Sequence, residues 1–250
     1  GDIGMIMARR LTLEGAYVQA VFEIQPYPSG LPRNIEQCLN DYNIPLYLSH
    51  TVTAIHGNER LTGVTISRVD EHFKPIPGTE KEYSCDTLIL SVGLIPENEL
   101  SLDAGVTLDG RTKGALVDEY FQTNVEGIFA AGNVLHVHDL VDFVSMEAEA
   151  LADSAAEYIR EGTLPDCPVE IRTDRNINHT VPQRVSGTRG FKLSMRVNRP
   201  IMECRIVVRQ DGVEIAAKKM KKAIPAEMIQ MTIDPDKLTA AGDLEVCVEC

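Results

Sequence analysis

The sequence predicts an α/β chain: a doubly wound unit on a parallel sheet, followed by a small β-sandwich-like domain. Three observations predict it. Helix and strand patterns alternate over residues 3–48, mostly apolar runs recur at 87–92 and 127–132, and after Pro165 the pattern changes to short alternating segments separated by turn residues. Alternating helices and strands suit a parallel sheet, because each crossover must carry the chain back over the sheet.

Residues 3–14 set Ile3, Ile6, Met7 and Leu11 near the i, i+3, i+4 spacing of an amphipathic helix, which Gly15 ends. Residues 17–23 read as a buried strand, 34–42 as a second helix after a loop with three prolines, and 44–48 as the next strand. Over residues 50–86 the period becomes two, with turns at Gly57-Asn58 and at 75–78, which predicts an antiparallel meander. The run 87–92 predicts a central strand and 115–122 another short β segment. An Ala-rich helix is expected at 143–160, closed by Gly162 and Pro165. Beyond it, alternation at 169–171, 191–197, 204–209, 213–219, 228–233 and 244–248 predicts a β domain, and Asp211-Gly212 marks a hairpin because positive φ is cheap there.

Composition narrows the function. With 24 Lys+Arg against 37 Asp+Glu the net charge is -13, which opposes binding to a phosphate backbone, so nucleic acid is not an expected partner. No apolar run approaches the about 20 residues that cross a bilayer, so no membrane span and a cytoplasmic protein are expected. The 6 scattered cysteines fit a reducing compartment better than a disulfide scaffold. The frame opens at Gly1 without an initiator Met or a leading strand, which predicts a fragment that starts inside a structural unit.

Gly1-Asp2-Ile3-Gly4 runs directly into the first helix. In a dinucleotide fold the later glycines of G-x-G-x-x-G let the backbone approach a pyrophosphate and let the helix pack on its strand, with the phosphates at the helix N-terminus. About 20 residues on, where such folds carry the acid that bonds a ribose hydroxyl, the next strand ends at Glu23. A carboxylate there repels a 2′-phosphate and favours NADH over NADPH. Taken without their context, Gly1 to Gly4 also read as an ordinary helix start and Glu23 as a solvated strand end.

The run Thr123-Asn124-Val125-Glu126-Gly127-Ile128-Phe129-Ala130-Ala131-Gly132-Asn133, preceded by Val92-Gly93-Leu94-Ile95-Pro96-Glu97, is the most specific pattern in the chain. It resembles the second flavin-binding motif of the FAD-dependent pyridine nucleotide-disulfide oxidoreductases, in their thioredoxin-reductase-like branch, over about residues 1–162. The resemblance implies a two-dinucleotide-binding-domain flavoprotein, with residues 1–92 a Rossmann-like NAD-binding subdomain lacking its first strand. Residues 93–165 would be the C-terminal part of the FAD-binding domain, and 166–250 the appended β domain. It implies FAD and NAD as cofactors, with Gly93, Gly132 and Asn133 and the opening amides of the following helix at Phe143, Val144 and Ser145 on the flavin side. Asn133 departs from the family's acid at that place; it carries no charge and both donates and accepts hydrogen bonds. The family's N-terminal flavin motif and redox dithiol are not in these 250 residues, so the chain is expected to bind flavin poorly alone.

His136 and His138, just after Asn133, invite a proton-donor or substrate-anchor role; as zinc ligands they fall short of a full set, and no metal is expected. Cys247 and Cys250 have C-x-x-C spacing, but on a strand an odd offset puts them on opposite faces. Lys218, Lys219, Lys221 and Lys222 form a basic island, either a solvated edge or a docking site for an acidic partner. The function expected is a flavin-dependent oxidoreductase moving hydride or electrons between NADH and an acceptor. That acceptor is a small molecule, a protein or a partner dehydrogenase subunit, and a homo-oligomer is open. The alternative is a non-catalytic assembly module on a degenerate flavoprotein scaffold.

Overall fold

The computed structural model describes residues 1–239 and 241–250. The chain divides into two compact units, Gly1–Gly93 and Leu94–Cys250, so residues 94–165 and 166–250 fall in one unit.

The first unit opens with α1 (Asp2–Leu13), β1 (Val21–Glu23), α2 (Pro32–Cys38), a 3-10 turn (Asn40–Tyr42) and β2 (Leu46–Leu48). Pro32 sits in the first turn of α2, where its missing N–H is not needed. Strands β1 and β2 are parallel, with Val21 opposite Leu46 and Glu23 opposite Leu48. Met5 and Ala8 of α1 pack with Cys38, Leu39 and Ile44 beneath them. The expected meander follows as β3 (His50–His56), β4 (Gly63–Arg68) and β5 (Lys81–Ser84), paired antiparallel in that order.

The apolar run 87–92 is not a strand. A strand exists only where its N–H and C=O groups meet a ladder, and this run joins no sheet among the described residues. Leu90 and Val92 are left 64% and 89% exposed.

The second unit begins with α3 (Glu99–Asp103). The β segment expected at 115–122 reduces to isolated bridges, Leu108 with Ala115, Asp118 with Arg184 and Gln122 with Phe129. Val106, Ala115, Val117 and Leu135 still form a buried cluster there, so burial supplied the apolar pattern without continuous pairing. A 3-10 turn at Gly132–Val134 leads to α4 (Val141–Glu161), which Gly162 ends at φ 78°.

Eight strands follow: β6 (Val169–Thr173), β7 (Ile177–Val181), β8 (Arg184–Val185), β9 (Phe191–Val197), β10 (Ile201–Gln210), β11 (Val213–Ala223), β12 (Ile229–Ile233) and β13 (Leu244–Glu249). They make a five-stranded sheet in the order β11-β10-β13-β6-β8 and a three-stranded sheet β12-β9-β7. Inward side chains of both sheets, among them Leu193, Met195, Ile206, Val208, Ile233 and Leu244, form one core. Asp211 and Gly212 turn the β10–β11 hairpin with φ of 50° and 80°, the paired positive values that a two-residue loop requires.

Candidate functional site

In the first unit the N-terminus of α1 carries no side-chain cap. The first helical bond runs from Met5 N–H to the Gly1 carbonyl at 3.4 Å, so the amides of Asp2, Ile3 and Gly4 come before the ladder. Three open N–H groups and the positive end of the helix dipole form a ready anion site. Gly4 is needed for packing: a Cβ there would meet Ser91 Cβ at 3.2 Å. Asp2 turns aside and accepts from the Leu31 N–H at 2.8 Å and the Asn34 amide at 2.7 Å, which fixes the loop after β1 beside the helix start.

Glu23 ends β1 as expected and accepts from the Gln25 N–H at 3.0 Å and from the Ser29 hydroxyl. Burial pushes its carboxyl up, but these hydrogen bonds together with the Gly1 ammonium at 3.4 Å bring it below the usual range. Each carboxylate oxygen has two acceptor sites, so capacity for a ribose hydroxyl remains. Gly93, at φ 96°, adopts a conformation that only glycine takes easily.

In the second unit, Gly132 stands at φ 71° and donates its N–H to Glu147 Oε1 at 2.6 Å. Asn133 is exposed, and its Oδ1 accepts the His138 N–H at 3.0 Å, which leaves the amide NH₂ as its outward donor group. Helix α4 opens two residues before the expected Phe143, because Leu140 is extended and serves as its N-cap. Phe143 N–H therefore bonds the Leu140 carbonyl at 3.2 Å. The amides of Val144 and Ser145 lie inside the helical ladder. The amides ahead of that ladder belong to Val141 and Asp142.

His136 and His138 are placed differently from expectation. Their side chains are each 1% exposed and converge on Glu147, itself 8% exposed. His136 Nε2 lies 2.7 Å from Glu147 Oε2, and His138 Nε2 lies 3.1 Å from Oε1. The rings stack edge to face at 4.4 Å, and His179 stands next to His136 at 5.9 Å. Burial alone would raise the Glu147 carboxyl, but the two imidazoles bond it and bring it down to about 2. Burial lowers His179 to about 4, and His136 and Arg196 add to that.

The segment carrying them is held from both sides. Asn98 donates to the carbonyls of Lys113 at 3.0 Å and Val134 at 2.9 Å. Arg196 of β9 donates to the Val137 carbonyl at 2.9 Å and to Asp139, whose other oxygen accepts the Met228 N–H at 2.6 Å. Glu147 was missed in the sequence although a signal existed: it interrupts the apolar stripe Val144, Leu151, Ala155 and Tyr158 of α4, where a lone carboxylate needs buried partners. His179 was missed with its strand. Cys247 and Cys250 are free thiols, and Cys247 Sγ accepts from Arg209 at 3.0 Å.

The family described as "Pyridine nucleotide-disulphide oxidoreductase" matches residues 1–156. The chain belongs to that family. Within it, the chain is 29% identical over 125 residues to thioredoxin reductase of Treponema pallidum, covering 50% of this chain and 38% of that protein. It is 26% identical over 116 residues to the ferredoxin reductase component of chlorobenzene dioxygenase from Cupriavidus sp. (strain PS12), covering 43% and 28%. It is 26% identical over 193 residues to the glutamate synthase [NADPH] small chain of Mycobacterium tuberculosis, covering 68% and 38%. The solved thioredoxin reductase of T. acidophilum matches with a TM-score of 0.54 at 27% identity, over 64% of this chain and 50% of that one. The chain thus spans well under half the length of these curated relatives. The match supports the mixed α/β, nucleotide-binding architecture read from the sequence. No helix among the described residues is long and apolar enough to cross a membrane.

Proposed function

We propose that the chain is part of an FAD-dependent oxidoreductase that passes hydride or electrons from NADH to a separate acceptor. The observation that carries this reading is the open N-terminus of α1, with the amides of Asp2, Ile3 and Gly4 unpaired and Glu23 fixed at the end of the adjoining strand. The α1 amides hold the nicotinamide dinucleotide's pyrophosphate, and Glu23 accepts from a ribose hydroxyl. The charge on Glu23, whose carboxylate accepts from Gln25 and Ser29, opposes the 2′-phosphate of NADPH.

In the second unit, the outward amide of Asn133 and the amides of Val141 and Asp142 fit the ribityl and ring edge of FAD, which supplies a two-electron relay when bound. The α4 N-terminus contributes partial positive charge where a reduced flavin would be negative. The acceptor is proposed to be a small molecule or a partner protein. Two relatives are named as components of larger systems, a dioxygenase reductase component and a synthase small chain, which supports the partner reading.

The test is the rate of flavin reduction in the full-length protein with NADH and with NADPH, repeated with Glu23→Gln. NADH is expected to reduce faster, and Glu23→Gln to narrow the ratio by about tenfold, the equivalent of one lost charge-assisted contact of about 1.4 kcal/mol. A wild-type preference for NADPH would overturn the role given to Glu23. No reduction by either nucleotide would favour the non-catalytic scaffold.

A further inference from the structure

The cluster His136, His138 and Glu147 has chemistry that nucleotide binding leaves unused. One imidazole nitrogen from each histidine and one carboxylate oxygen all lie within 4.8 Å of one another. We propose that these three side chains form a binding site for one divalent transition-metal ion of the zinc or iron class.

The donor set points to that class. Imidazole suits zinc, iron, copper and nickel, whereas all-oxygen sets suit calcium and magnesium. Two neutral imidazoles and one carboxylate carry a single negative charge, which a divalent cation reverses, and three protein ligands leave a coordination position open. The ligands are preset. Gly132 N–H fixes one Glu147 oxygen at 2.6 Å, and Asn133 fixes the His138 backbone at 3.0 Å.

A second observation is independent of that geometry. The Nδ1 atoms of His136 and His138 and both ring nitrogens of His179 are buried without a partner among the described residues. Buried polar atoms are rarely left unpaired, so the rings of His136 and His138 each keep a nitrogen that the Glu147 contacts do not use. His179 is 7% exposed, and its ring lies 5.9 Å from that of His136, beside the three ligands. The half-buried His50, bonded to the Leu48 carbonyl at 2.7 Å, has no such convergence. An ion here would tie the segment 132–138 to α4.

The experiment uses tag-free full-length protein, stripped with chelator, equilibrated with zinc and desalted before elemental analysis. About one tightly held zinc per chain is expected, with a rise in melting temperature on zinc addition. His138→Ala and Glu147→Gln are each expected to weaken zinc binding by about tenfold or more, while His50→Ala leaves it unchanged. Far-UV circular dichroism reports whether the variants fold. Wild-type protein that retains no zinc, or folded His138→Ala and Glu147→Gln variants that hold it as tightly as wild type, would overturn the proposal. Zinc content is read whether or not flavin is bound, so failure here and failure of the oxidoreductase reading are separate results.

Discussion

The pair Arg196 and Asp139 is predicted to be one of the strongest single polar contributions to the second unit. Their side chains are 13% and 10% exposed, and each makes further bonds: Arg196 to the carbonyls of Val137 and Pro225 at 2.9 and 2.8 Å, Asp139 to the Met228 N–H at 2.6 Å. Arg196→Met leaves a buried carboxylate with one remaining donor and strands two carbonyls, a change that costs about 3–5 kcal/mol. Asp139→Asn keeps an acceptor for Met228 and costs about 1–2 kcal/mol. In the double variant neither charge is left alone, so the loss falls short of the sum by about 2 kcal/mol. The exposed pair Arg172 and Asp243, at 2.7 Å, is the control, and Arg172→Met there costs less than about 1 kcal/mol. Urea unfolding of wild type, both singles, the double and the control measures all five. Additive losses at residues 139 and 196, or a control loss as large as that of Arg196→Met, would refute the assignment.

Gly114→Ala is predicted to destabilise by about 3 kcal/mol or more, because a Cβ would overlap the Leu135 carbonyl and sit 2.7 Å from its Cα, backbone that cannot move aside cheaply. Gly110→Ala, with nothing within 4 Å, is predicted to be neutral or slightly stabilising, and thermal melts distinguish the two. Glu119 is buried, accepts from Ser186 at 2.6 Å through one oxygen and has no partner on the other among the described residues; burial raises its carboxyl above the usual range. A carboxyl raised in the folded state loses stability as pH rises from the unfolded-state value through the folded one, and the loss is complete above that. Glu119→Gln is therefore predicted to be more stable than wild type at neutral pH, with the advantage disappearing below about pH 4. Denaturation at several pH values checks it, and an advantage that grows on acidification would contradict it.

What the sequence made legible was mostly what local pattern decides. The i, i+3, i+4 stripe placed α1, and Ala-rich composition closed by Gly162 placed α4, each within about two residues, while Asp211-Gly212 placed the β10–β11 turn, because caps and positive φ are properties of a few adjacent residues. The run 87–92 misled because an apolar stretch shows only a wish for burial, while a strand also needs a neighbour. Strand β7 was invisible for the opposite reason. Its residues Asn178, His179 and Thr180 look like a loop, yet His179 and Thr180 are buried. The histidines were visible as a pair, but their meaning depended on Glu147, 9 residues beyond His138 on another element. Only the fold brings those three together.

The measurement that tests the central functional reading most directly is the anaerobic absorbance spectrum of the full-length protein before and after NADH. Flavin bands that are present at the start and bleach on NADH addition are the predicted result. Flavin bands that persist, or a colourless protein that takes up no added FAD, would contradict it and leave an assembly scaffold in its place.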